Sequence, residues 1–133
     1  MSTRRLRPWV AQALVEFALV WPLMTVISLG VLQLVLYAHA RDVVVSSVQE
    51  GARLASEDGR GLDEGYARTS AMISAGLGNS IEPPAVAGYQ DLDIVSLRVD
   101  AALRPILPLP VGASLPLHAE ARAARERFRP GGG

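Results

Sequence analysis

The chain has 133 residues, 13 Lys plus Arg against 13 Asp plus Glu, and no Cys. That length holds at most one membrane segment and one small domain. The neutral charge gives no argument for nucleic-acid binding, and without Cys there is no disulfide, thiolate metal site or thiol nucleophile.

The charge is unevenly spread. Residues 1–11 form a basic leader in which Arg4, Arg5 and Arg7 have no acid among them. Pro8 stands where a first helical turn tolerates proline, and Trp9 suits a membrane–water interface. From Phe17 to Ala40 there is no Asp, Glu, Arg or Lys. A hydrocarbon core of ~30 Å takes roughly 20 apolar residues at ~1.5 Å rise each. The run, about 17–40, is therefore long enough to cross with some tilt, and a helix closes its backbone bonds internally. The alternatives are a buried core helix or a secretory signal peptide. A signal peptide carries only ~7–15 apolar residues, and Ala38-His39-Ala40 is a weak cleavage site. The positive-inside rule puts the N-terminus in the cytoplasm and everything after Arg41 outside a cytoplasmic membrane crossed once.

Glu16 is a carboxylate at the mouth of this run. An acid in an early helical turn is favoured by up to ~1 kcal/mol. At membrane depth an ionisable group costs ~2.5–3.5 kcal/mol and is a functional candidate by default. Both readings stand on the residues alone. Pro22 removes one backbone bond and is either a tolerated kink or a bend used in packing. Thr25, Ser28 and Gly30 make a small-residue strip that hints at close helix contact. Tyr37 and His39 mark the outer interface.

Arg41 to Ser56 continues without proline. Val44, Val48, Ala52 and Ala55 form one apolar stripe, and Glu50 and Arg53 are helix neighbours. The expectation is one helix over 12–56, with a spine of ~65 Å from Gln12 to about Leu54 at ~1.5 Å per residue. Gly51 costs roughly 1 kcal/mol relative to Ala there. It is either tolerated or a close-packing point where an outer domain lies on the spine, with Glu50 and Arg53 beside it.

A basic leader, the motif A-Q-A-L-V-E-F-A-L-V-W-P-L, a long apolar run and then V-Q-E-G-A-R-L-A together resemble the TadE-like pseudopilins of the tight-adherence (Tad/Flp) pilus and secretion system. The likeness covers Val10 to Ala55. It implies a prepilin peptidase that cuts between Ala11 and Gln12 on the cytoplasmic side, leaving Glu16 as fifth residue of the mature chain. The family's usual Gly before the cut is Ala11 here. The likeness also implies that Glu16, with Phe17 and Pro22 in the same motif, serves registry as helices assemble. The carboxylate of one subunit would neutralise the new amine of its neighbour. Unit charges ~4 Å apart gain ~4 kcal/mol at an effective dielectric of 20, before desolvation is subtracted. The partners it implies are the peptidase, other pilin-like subunits, the inner-membrane secretion platform and the lipid bilayer, with no nucleic acid.

Residues 57–128 are expected to form a small exported α+β domain, with 129–133 a flexible tail. Glu57-Asp58-Gly59-Arg60-Gly61 stops the first helix. A second helix is expected from about Glu64 to Leu77, ended by Gly76, Gly78 and Asn79. Ile81 to Gln90, with Pro83, Pro84 and Gly88, reads as a loop. Asp91 to Leu103 alternates as a strand. Arg104 to Pro116 carries four prolines and reads as a stiff connection or edge segment. Leu115 to Arg122 alternates again and is expected to pair back, although Ala119 to Arg127 also suits a helix. The fold class expected is α+β: a long N-terminal helix, a second short helix and a small C-terminal antiparallel β segment.

Catalytic chemistry needs positioned titratable groups. The chain has two His and none of the common hydrolase or metalloprotease motifs. Asp91 with Asp93 and the acidic turn at 57–64 read as solvated side chains and His118 as a strand side chain, so no catalytic residue, metal or cofactor is expected. The leading expectation is a non-enzymatic minor pseudopilin-like subunit. The alternative is a single-pass anchor presenting a small binding or accessory domain.

Overall fold

The computed structural model describes residues 8–106 and 114–125. Most of the basic leader, the 129–133 tail and the middle of the proline-rich connection lie outside the described residues. Helix α1 runs from Pro8 to Ser56, α2 from Leu62 to Leu77, and a single 3-10 turn covers Gly78–Ser80. Strands β1 (Ala85–Gln90), β2 (Ile94–Leu103) and β3 (Leu115–Ala124) form one antiparallel sheet in the order β1-β2-β3. This is the α+β arrangement expected.

Several boundaries differ from the expectation. The strand expected from Asp91 starts at Ile94, because Asp91 to Asp93 form a turn in which Asp91 N donates to Ile94 O at 2.9 Å. Helix α1 begins at Pro8, ahead of Gln12, because proline's missing N–H costs nothing in a first turn. Helix α2 begins at Leu62, ahead of Glu64; Gly61 is its extended N-cap, and Asp63 and Glu64 sit in the first turn, where the helix dipole favours acids. The supposed loop at 81–90 contains β1. Its pattern is weak, but its register with β2 runs from Ala85 opposite Asp100 to Gln90 opposite Val95. Backbone pairing, not side-chain alternation, makes it a strand. Gly88 is needed there: a Cβ would meet Ser96 O at 2.9 Å, Tyr66 Oη at 3.0 Å and Leu62 Cδ2 at 3.1 Å, so α2 lies close on that strand.

The core sits between the helices and one face of the sheet. The α1 stripe Val44, Val48, Ala52 and Ala55, extended back to Ala40, is buried. It meets Ile73 and Leu77 of α2 and Val95, Leu97, Val99 and Leu103 of β2. From β3, Leu117 is buried, and Ala119, Ala121 and Ala123 pack against the same cluster. Those alanines stand opposite Val99, Leu97 and Val95, so small residues on β3 face large ones on β2 and leave room for α1. Residues 119–124, which also suited a helix, are strand, since pairing with β2 satisfies the backbone and the odd positions gain the core.

Candidate assembly face of the long helix

The first half of α1 is not buried against the rest of the described residues. Ala11, Gln12, Glu16, Phe17 and Pro22 are all exposed. So are Leu19, Trp21, Leu23, Val26, Val31 and Leu34, with no part of the apolar window buried. Bare apolar surface on every side of a helix excludes a core helix of this domain and fits a single-pass membrane anchor. The helix runs through Pro22 without interruption, and Thr25 Oγ1 donates to Trp21 O at 2.9 Å. Among the described residues, no hydrogen bond or ion pair reaches the Glu16 carboxylate.

The second half of α1 carries the domain. Gly51 is buried at the crossing with α2. A Cβ there would collide with the Thr69 hydroxyl and lie 2.8 Å from Gly65 O; one on Gly65 would lie 2.8 Å from Gly51 O. The two helix backbones therefore touch, as only paired glycines allow. The Thr69 hydroxyl lies 2.8 Å from Gly65 O and 3.3 Å from Ser47 O, and its one proton serves either acceptor. Glu50 and Arg53 sit on the rim of this contact. Arg53 Nε and Nη2 donate to both Glu50 oxygens at 3.0 and 3.1 Å, and Nη1 donates to Glu57 at 3.1 Å. Arg68 of α2 comes within 4.0 Å of Glu50. The Arg53 fork holds the Glu50 carboxyl below the usual carboxylate range. Exposed pairs of this kind orient side chains more than they stabilise.

Thus one helix carries two surfaces, a bare apolar half with a single acid and a half that cradles α2. Residues 11–53 match the family model of TadE-like protein. No curated protein and no solved structure matches the chain. The TadE-like family is a family of pilus components, so the match points to a Tad pilus-associated subunit that associates with other components of that pilus. The match ends where the α1–α2 crossing has just been made; the sheet lies beyond it.

The domain reaches further down α1 than the apolar run suggested. Ile106 N donates to Gln33 Oε1 at 2.8 Å, and Tyr37 Oη donates to Pro116 O at 3.3 Å. One face of the run's last two turns is therefore covered by the β2–β3 end of the sheet. Nothing local signals this, since Gln33 and Ile106 are 73 residues apart.

On the outer sheet face, Asp100 is paired across strands with His118. Its Oδ1 lies 2.6 Å from His118 Nδ1, and Arg98 donates to both its oxygens at 3.1 and 3.3 Å. His118 first and Arg98 second hold the Asp100 carboxyl below the usual carboxylate range. The stabilisation this brings is present above the unfolded pKa, about 3.9, and is lost as pH falls through the lower folded value. An NMR titration of the full chain in micelles checks the order of causes. His118→Ala should raise the Asp100 midpoint more than Arg98→Ala does, and the reverse order would contradict it. Among the described residues, no group of three or more His, Asp or Glu is placed to hold a metal ion.

Proposed function

We propose that this chain is a non-enzymatic, membrane-inserted pseudopilin-like subunit of a Tad-type pilus assembly and secretion machine. The observation that carries the reading is that the TadE-like match, 11–53, lies within a single helix. The N-terminal half of that helix is bare and apolar, while its C-terminal half holds a folded domain. The N-terminus lies in the cytoplasm and the α2–sheet domain outside the cytoplasmic membrane, in line with the arginine-rich leader. A prepilin peptidase acts between Ala11 and Gln12, which are exposed ahead of the apolar run. The new amine then pairs with Glu16 of a neighbouring subunit. An acid without an intramolecular partner among the described residues is consistent with a partner on another chain. Phe17 and Pro22 lie on the same bare segment and take part in helix packing, while Gly51, flanked by Glu50 and Arg53, seats the outer domain. The secretion platform of the inner membrane is the remaining partner.

One residue favours a second reading. Ala11 stands where the family usually has Gly before the cut. An uncleaved single-pass anchor that presents an accessory domain would have the same topology. Mass spectrometry of the N-terminus, on protein from its native host, separates the two. A chain starting at Gln12 is expected; an intact Met1 or Ser2 start overturns the processing. Glu16→Ala should abolish co-assembly with the other pilin-like subunits while membrane insertion is kept. Unchanged co-assembly would reduce Glu16 to an ordinary acid of an early helical turn.

A further inference from the structure

A cavity of about 390 Å³ lies where the sheet domain meets the outer end of the apolar run. Gln33, Leu36 and Ala40 of α1 form one wall, and Leu103, Arg104 and Ile106 form the opposite one. The lining is mainly apolar, and its described residues include an arginine but no carboxylate. His39 and Ser80 also line it, and two further polar groups, on Gln33 and Arg104, are suited to a ligand. Gln33 Oε1 is committed to Ile106 N, which fixes the amide orientation and makes the other atom Nε2. That nitrogen is buried and has no partner among the described residues, and an orphaned buried donor is costly and rare. Arg104 has five N–H donors, and one of them reaches Asn79 O at 3.4 Å.

We propose that this cavity binds a phospholipid of the surrounding bilayer. Resting on the membrane-crossing reading of α1, it lies at the level where the helix leaves the hydrocarbon. Val31, Leu34 and Val35 are exposed beside it. There a lipid presents its upper acyl carbons, its ester oxygens and its phosphodiester in that order. The apolar wall takes the acyl carbons, Gln33 Nε2 donates to an ester or phosphate oxygen, and the Arg104 guanidinium takes the phosphate. The cation without a carboxylate favours an anionic headgroup over a zwitterionic one. The site would fix the height of the domain on the membrane, since the lipid bridges α1 to the end of β2.

Native mass spectrometry of the full chain in detergent, titrated with phosphatidylglycerol or phosphatidylcholine, tests the site. One tightly held phosphatidylglycerol is expected, and a preference over phosphatidylcholine. Arg104→Gln should weaken phosphatidylglycerol about tenfold and erase the preference. Gln33→Glu keeps the oxygen that accepts from Ile106 N and removes the Nε2 donor; it should weaken both lipids. An unchanged far-UV spectrum and unfolding temperature certify that each variant is folded. No retained lipid, or equal retention by wild type and both variants, overturns the proposal. Inorganic phosphate that displaces phosphatidylglycerol at comparable concentration also overturns it, in favour of a plain anion site. Carbonate extraction of the wild-type chain from membranes separates the two levels. Release by carbonate defeats the membrane-crossing reading itself, whereas retention alongside lipid-indifferent variants defeats only the lipid site.

Discussion

Leu97→Ala is expected to lower stability by about 2–5 kcal/mol, the usual range for truncating a fully buried leucine. Leu97 is 0% exposed at the middle of the central strand. It faces the α1–α2 crossing, because its Cδ1 would lie 3.1 Å from a Cβ on Gly65. Truncation leaves a hole beneath the place where two helices and the sheet meet, and the touching helix backbones leave little freedom to close it. For a small domain each kcal/mol moves Tm by about 4–8 °C, so a drop on the order of 10–40 °C should appear in calorimetry of the full chain in micelles. Tyr89→Ala, at an exposed position on the same sheet, serves as the control and should stay within about 0.5 kcal/mol. Equal effects from the two would mean that the sheet does not pack on the helices as described.

Gly51→Ala comes next, and here two effects oppose each other. Alanine is the better helix former by about 1 kcal/mol. Against this, its methyl would collide with the Thr69 hydroxyl and press on Gly65 O, 2.8 Å away. The hydroxyl can turn aside, but a carbonyl in the facing helix cannot, and overpacking of this kind costs about 1–3 kcal/mol. The collision wins, and a net loss of stability is expected. Gly65→Ala should behave alike, since its Cβ would meet Gly51 O at 2.8 Å and Ala55 Cβ at 2.9 Å. The double variant should cost less than the sum, because the first substitution already separates the helices. Gly30 has nothing within 4 Å and is the comparison site: Gly30→Ala should not destabilise the domain. A Gly51→Ala protein more stable than wild type would remove the tight crossing from the picture.

What can be inferred without a structure is what depends on near neighbours in the chain. Helical spacing marked Val44, Val48, Ala52 and Ala55 as one stripe, and all four are buried. Alternation marked Val95, Leu97, Val99, Ala101 and Leu103; all are buried except Ala101, which is half-buried. The β1 strand was missed because Ala85–Gln90 has no inward alternation and contains Gly88; its strand character comes from the ladder with β2. The pairing of Asp100 with His118 has no signal in the sequence, because only the register of β2 and β3 sets them opposite each other. Nothing in the sequence marks Gln33, since its acceptor role toward Ile106 needs the chain to return after 73 residues.

By itself, the sequence determined that an uncharged helix of membrane-crossing length leads into an amphipathic extension. Hydrophobic burial is roughly proportional to apolar area and local periodicity aims it, so both properties can be summed along a contiguous segment. Only the tertiary structure decided how far down that helix the domain sits, which glycines let α2 touch it and where a cavity remains. Those outcomes turn on backbone approach and strand register between residues far apart in the chain, where a displacement of one residue along a strand exchanges the buried and exposed faces.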